Sequence, residues 1–360
     1  MRVIKKTIDQ TVQHFKFISE FENENDLVSD IESGLSLIWV MSQNLPARED
    51  FDFISGENFS LSESYEELET SYHLIKCGFY KQSMISLRSG FEIGLLSIYW
   101  SIIGKNSPEF KKWMSSKLPT PRKEPKFWSK LKQNQNIADF DKKYALIEEI
   151  KSLNSLSDFV HTKGYKFSNY GQFQRVVRGE RTFDNFNEWG EAFRKIVSII
   201  RKLHLLVYPT FCLDYSTEFL ISKFGTFGNI PQFGSGFGNT IDEIFLFIPN
   251  EQRQCIEEIS NNDDEVKYIK NWLGNLPDLT NDEINAAIIK SEKSKIQLAG
   301  SFSMWVKFAS FFDNRINEEI INILREWAEQ NNLMELNEAM QRSHDEVQKW
   351  IDNKNHKLSV

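Results

Sequence analysis

Apolar residues along this chain recur mostly at helical intervals. The clearest series is Tyr80, Met84, Leu87, Phe91, Leu95, Ile98 and Ile102, spaced by three or four. That spacing predicts a buried stripe on one long helix, ended by Gly104. Leu27, Ile31, Leu35 and Ile38 predict an earlier helix capped by Asp26. Ser64-Tyr65-Glu66-Glu67 has the form of a capping box and predicts a helix from Ser64 to Cys77, stopped by Gly78. Further helices are predicted from about 141 to 162, stopped by Gly164, and from about 187 to 207, stopped by Pro209. Thr280-Asn281-Asp282-Glu283 is a second capping box, and Ile316, Ile320, Ile323, Leu324 and Trp327 mark a later helix. No alternation at period two predicts a sheet, and no fixed-period repeat is present.

Between these helices, residues 105–128 hold four prolines and many lysines, which predicts a basic loop with a short helix at Glu109 to Lys117. Residues 164–186 read as irregular. Residues 224–239, FGTFGNIPQFGSGFGN, read as a turn-rich connector whose phenylalanines pack against something. The expected class is all-α, with an N-terminal helical segment at 1–60, a helical bundle at 61–210, a Gly/Phe-rich connector at 211–240 and an acidic helical domain at 241–360.

Charge adds contrast to this layout. The net charge is −8. Residues 105–182 carry +9, residues 1–104 carry −8 and residues 241–360 carry −9. A basic middle between acidic ends suits contact with nucleic acid, and equally suits contact with the chain's own acidic parts. The compact apolar run Leu35 to Met41 is far below the roughly 20 residues that span a bilayer, so no membrane span is expected. The start MRVIKKTIDQ has no apolar h-region after its lysines. Cys77, Cys212 and Cys255 are odd in number and form no C-x-x-C pair, which fits free thiols in a reducing cytoplasm.

The most informative candidate chemistry lies at 151–161. Lys151, Asn154, Asp158 and His161 are spaced three, four and three, so on an α-helix they share one stripe. That stripe borders the apolar row Leu146, Ile150, Leu153 and Val160. Asp158 would orient His161 and raise its pKa, making it a general acid or base near neutral pH. The same row equally suits a half-buried histidine held by Asp158 to fix helix geometry.

A resemblance emerges from three runs: Tyr72-His73-Leu74-Ile75-Lys76-Cys77-Gly78, then Leu87-Arg88-Ser89-Gly90-Phe91-Glu92, then Leu156-Ser157-Asp158-Phe159-Val160-His161-Thr162-Lys163-Gly164. Their order over residues 60–210 resembles the HEPN superfamily of helical bundles, which occurs in bacterial toxin–antitoxin and phage-defence systems. Active members are metal-independent endoribonucleases with an Arg, four to six intervening residues and then a His, working at a dimer interface. The resemblance therefore implies a bundle, a homodimer, RNA as ligand and His161 as acid–base group, with no metal and no cofactor. The positions where the Arg would stand are Asn154, Ser155 and Leu156, so the motif is incomplete. Arg88 on the facing helix is a substitute, although Glu92 at i+4 offers it an ion pair.

Directly after His161, Lys163, Lys166, Arg175, Arg178 and Arg181 interleave with Tyr165, Phe167, Tyr170 and Phe173. Cations bind phosphates and rings stack on unpaired bases, so the composition suits single-stranded RNA or DNA. A loop with inward rings and solvated cations gives the same pattern. His73 and Cys77 at i,i+4 are two metal-ligand types without a third. Gly234, Gly236 and Gly238 do not make G-x-G-x-x-G, and no P-loop or G-x-S-x-G elbow is present. Two readings stand: a binding module for nucleic acid or a protein partner, with the acidic C-terminal domain as a further partner contact, and an endoribonuclease using His161, Asp158, Asn154 and Arg88.

Overall fold

The computed structural model describes residue 16 and residues 27–44, 56–104, 106–117, 125–168, 182–226, 241–308 and 316–335. Among them every regular element is helical. In chain order these are α1 (Leu27–Asn44), α2 (Gly56–Lys76), α3 (Tyr80–Ile103), α4 (Pro108–Met114), α5 (Pro125–Leu131), α6 (Gln135–Tyr144) and α7 (Leu146–Ser152). A 3-10 turn at Leu153–Leu156 leads into α8 (Ser157–Val160), and α9 (Thr182–Val207) follows. The rest are α10 (Thr217–Phe224), α11 (Ile241–Ile244), α12 (Asn250–Asn262), α13 (Asp264–Asn275), α14 (Asn281–Ala299), α15 (Phe302–Phe308) and α16 (Glu318–Gln330). No helix among the described residues is long and apolar enough to cross a membrane.

The chain forms two compact units. The first comprises Met1–Asp214 with Gln232–Asn271, and the second comprises Tyr215–Pro231 with Trp272–Val360. These bounds differ from the expected domains. Residues 241–271 fall in the first unit because Ile244, Phe245, Ile248 and Ile256 are buried in its core. Helix α1 joins the same core through Ile31, Leu35 and Ile38.

The first unit is built around α3. Six members of its predicted stripe, from Tyr80 to Ile98, are buried, and Ile102 is half-buried. Gly78 and Gly104 flank it with φ of 81° and 87°, backbone that favours glycine. α2 begins at Gly56, not at Ser64. Ser64 therefore caps nothing; it lies mid-helix, and its hydroxyl donates to the Gly90 carbonyl on α3 at 2.7 Å. A serine whose hydroxyl is satisfied by a neighbouring helix no longer competes with its own backbone. The two helices pack closely because α3 has glycine where they meet. A Cβ on Gly90 would lie 2.9 Å from Leu68 Cγ, and one on Gly94 would lie 2.6 Å from Ile200 Cδ1 of α9. Near the Gly78 turn, Ser71 Oγ donates to Ser83 O at 2.8 Å, and Ser83 Oγ donates to Ser71 O at 2.9 Å. Trp189 Nε1 of α9 donates to Ser71 Oγ at 2.8 Å, closing a buried three-helix junction.

The helix expected over 141–162 is interrupted twice. Ala145 takes φ 53°, and the Asp141 carboxylate, paired with Lys132 at 2.8 Å, accepts the Ile147 N–H at 2.7 Å. One side chain thus caps the restart. The second interruption is the 3-10 turn at Leu153–Leu156. α9 also begins earlier than expected, at Thr182.

In the second unit, Ile288, Ile296, Phe302, Trp305, Ile320, Leu324 and Ala328 form the core. The buried Glu292 accepts from Trp305 Nε1 at 2.8 Å and pairs with Lys295 at 2.7 Å. The Thr280 capping box forms as expected. Ile323, expected on the apolar stripe of α16, is exposed. Residues 227–240 of the Gly/Phe-rich connector lie outside the described residues; Phe224, which precedes them, packs on Trp272 with ring centroids 5.9 Å apart.

Candidate functional site

A cavity of about 390 Å³ opens between α3, α5 and the 150–157 segment. α3 supplies Arg88, Phe91, Glu92, Leu95 and Leu96 to it. α5 supplies Phe127 and Trp128, and the third wall carries Ile150, Lys151, Leu153, Asn154 and Ser157. Its lining mixes seven apolar residues with five polar or charged ones, Arg88, Glu92, Lys151, Asn154 and Ser157.

Arg88 and Glu92 form its charged element. Arg88 Nε and an Arg88 terminal nitrogen both reach Glu92 Oε1, at 3.0 and 2.9 Å, with side-chain exposures of 11% and 17%. Burial pulls the Arg88 pKa below the usual arginine value. Lys151 pairs with the exposed Glu148 at 2.6 Å.

The expected stripe of Lys151, Asn154, Asp158 and His161 does not form, because the backbone between them is not a continuous α-helix. A 3-10 turn repeats every three residues. Lys151, Asn154 and Ser157 therefore share the cavity wall. Asp158 is turned to Lys163, with Oδ1 and Nζ 2.6 Å apart. Neither Asp158 nor His161 lines the cavity. His161 follows the last turn of α8, with its side chain exposed. The acid–base pairing of Asp158 with His161 is thus replaced by an ion pair, and Arg88 is held by Glu92.

Beyond His161 the chain turns sharply through Thr162 (φ 47°) and Gly164 (φ 88°). Lys81 Nζ donates to Thr162 Oγ1 at 2.6 Å. Lys81 lies seven residues before Arg88, two turns of α3, so both face this segment. Tyr165 is 61% exposed, whereas Phe167 is half-buried, its ring edge-on to Phe159 with centroids 5.0 Å apart. Lys166 lies 3.6 Å from Glu188 and over the Phe167 ring. Arg175, Arg178, Arg181, Tyr170 and Phe173 lie outside the described residues.

The sequence reading missed Phe127, Trp128, Ser157 and Lys81. Phe127 and Trp128 were assigned to a basic loop, yet Pro125 stands at the first position of α5, where proline is favoured. Lys81 was legible as Arg88 minus seven. Among the described residues, no group of three or more His, Cys, Asp or Glu is placed to hold a metal ion.

No family model, curated protein or solved structure matches this chain.

Proposed function

We propose that this chain is a non-catalytic, HEPN-like module that binds single-stranded nucleic acid through the face carrying the cavity and residues 161–167. The resemblance implies a bacterial stress or phage-defence setting for such a module. The observation that carries the reading is the cavity itself. It joins the Arg88–Glu92 pair, Lys151 and Asn154 to a wall that carries Trp128, so charged groups and a polar amide lie beside a half-buried aromatic ring. Lys81, Lys163, Lys166 and Tyr165 extend it outward. The ion pairs of Lys163 and Lys166, exposed on the lysine side, are worth about 0–1 kcal/mol each, so a phosphate can exchange for the carboxylate.

Catalysis fits less well. An acid–base histidine needs a partner group within hydrogen-bond reach of the reacting atoms. Here the nearby carboxylate belongs to Lys163 and the arginine to Glu92. One observation keeps the endoribonuclease reading in play: the exposed His161 adjoins Thr162, which holds the Lys81 ammonium. Pairing of two copies and a protein contact through the acidic C-terminal part belong to the same proposal.

Fluorescence anisotropy with a labelled single-stranded RNA 20-mer tests it. Binding should weaken with salt, and the Lys81→Glu, Lys163→Glu double variant should weaken it at least tenfold. Absence of binding at low salt would overturn the reading. Intact RNA after incubation separates binding from cleavage, and cleavage lost in His161→Ala would favour the enzyme.

A further inference from the structure

We infer that the cavity between α3, α5 and the 150–157 segment binds a small amphipathic monoanion, an apolar chain or ring that ends in one carboxylate. The inference goes beyond the strand-binding reading, because this ligand is a free small molecule lodged inside the cavity rather than a strand laid along its face.

The floor of the cavity decides the body of the ligand. Phe91, Leu95, Leu96, Phe127, Ile150 and Leu153 are all buried, and none has a polar side-chain atom. A polar group placed against them loses its water and gains no hydrogen bond in return. The part of a ligand that enters here is therefore hydrocarbon. The half-buried Trp128 adds ring surface beside the floor. A volume of about 390 Å³ lies in the range of small-ligand sites, with room for a ring or a short alkyl chain.

The rim decides the head. Lys151, Asn154 and Ser157 recur every three residues along one wall, and each is half-buried or exposed. Their ammonium, amide and hydroxyl groups can all donate. Arg88 carries five N–H donors, of which two go to Glu92 Oε1, so three more stand on the donor side. Arg88, Lys151 and Glu92 give the lining one net positive charge, which a single carboxylate matches. A dianionic phosphate would carry an excess of negative charge beside Glu92. Lys151 pairs with Glu148 at 2.6 Å, but Glu148 lies outside the lining and its side chain is 70% exposed. An exposed pair of this kind is weak, so the carboxylate of a ligand can take its place.

Isothermal titration of the full chain with octanoate, octanol and octylamine tests this with one hydrocarbon body under three heads. Phenylacetate supplies a ring in place of the chain, and acetate supplies the head alone. The better of octanoate and phenylacetate should occupy a single site per chain. It should bind at least tenfold more tightly than acetate, octanol and octylamine. Lys151→Met keeps the aliphatic stem and removes the charge. It should weaken that acid at least tenfold and affect octanol far less. Trp128→Ala should weaken acid and alcohol alike, with a thermal melt to confirm folding; Lys151→Met, at the rim, keeps the test open if that variant does not fold. Equal binding of the three octyl heads, full acid affinity in Lys151→Met, or no binding by either acid overturns the inference. The RNA titration is read separately. Acid binding without RNA binding keeps this inference and sinks the strand reading, and RNA binding without acid binding does the reverse.

Discussion

The Lys163 ammonium lies 2.6 Å from the Asp158 carboxylate, so the residue that the sequence offers as a partner for His161 is bound to a cation instead. The pair is surface-exposed on the lysine side. Lys163→Ala should change stability by no more than about 1 kcal/mol. If the face binds a strand, the same substitution should reduce RNA affinity and flatten its salt dependence by about one unit of slope. Thermal melts and anisotropy on the same variant separate the two effects.

His204 gives a pH signature. It is fully buried on α9, with Nδ1 2.7 Å from the Ile200 carbonyl and Nε2 3.1 Å from Ser97 Oγ. A carbonyl only accepts, so Nδ1 carries the proton and Ser97 donates to Nε2. Burial pushes its pKa down to about 4. The native protein thus holds His204 neutral, while the unfolded chain protonates it near pH 6.5. Stability contributed by the neutral ring is present above pH 6.5 and is lost as pH falls toward 4, on the order of 3 kcal/mol in all. Denaturant melts at pH 7, 5.5 and 4.5 check this. The decline should be shallower in His204→Gln.

Gly94 sits where a methyl group would meet Ile200 Cδ1 at 2.6 Å and Ser64 Oγ at 2.9 Å. Gly94→Ala should destabilise the protein by about 1–3 kcal/mol through overpacking. Ile200→Val removes the Cδ1 methyl. The double variant should therefore recover part of the loss, read as a non-additive mutant cycle in urea. Strict additivity would show that the contact is relieved elsewhere.

Lys202 is 1% exposed and pairs with Glu149 of α7 at 2.6 Å, with Gln252 of α12 at 3.1 Å. Burial pulls its pKa down against the opposing pull of Glu149. Glu149→Gln leaves a buried ammonium without its counter-charge and should cost about 3–5 kcal/mol, whereas Lys202→Met should cost less. Equal losses in the two variants would contradict this account.

The long helices were legible because burial imposes period on sequence. Tyr80 through Ile98 show this, and Gly78 and Gly104 mark their ends by backbone sign alone. Ser64 was misread because a serine satisfied across a helix pair looks the same as one capping its own helix. The site was only half legible. Arg88 and Asn154 do share a surface, but a 3-10 turn of four residues put Ser157 beside them and sent Asp158 away. No sequence periodicity announces that turn. Phe127 and Trp128 were hidden by surrounding lysines and prolines, which suggested a loop where α5 forms.

The junction of Ser71, Ser83 and Trp189 bears on the order of assembly. The reciprocal serine bonds close only 12 residues around Gly78, whereas the Trp189 bond reaches across 118. Closing the short segment costs less chain entropy, and helical hairpins of this size form on fast timescales. The α2–α3 hairpin is thus the part of the first unit with least to wait for. Trp189 needs only Ser71 Oγ as its acceptor, and a closed α2–α3 hairpin already holds that oxygen in place for α9 to dock against.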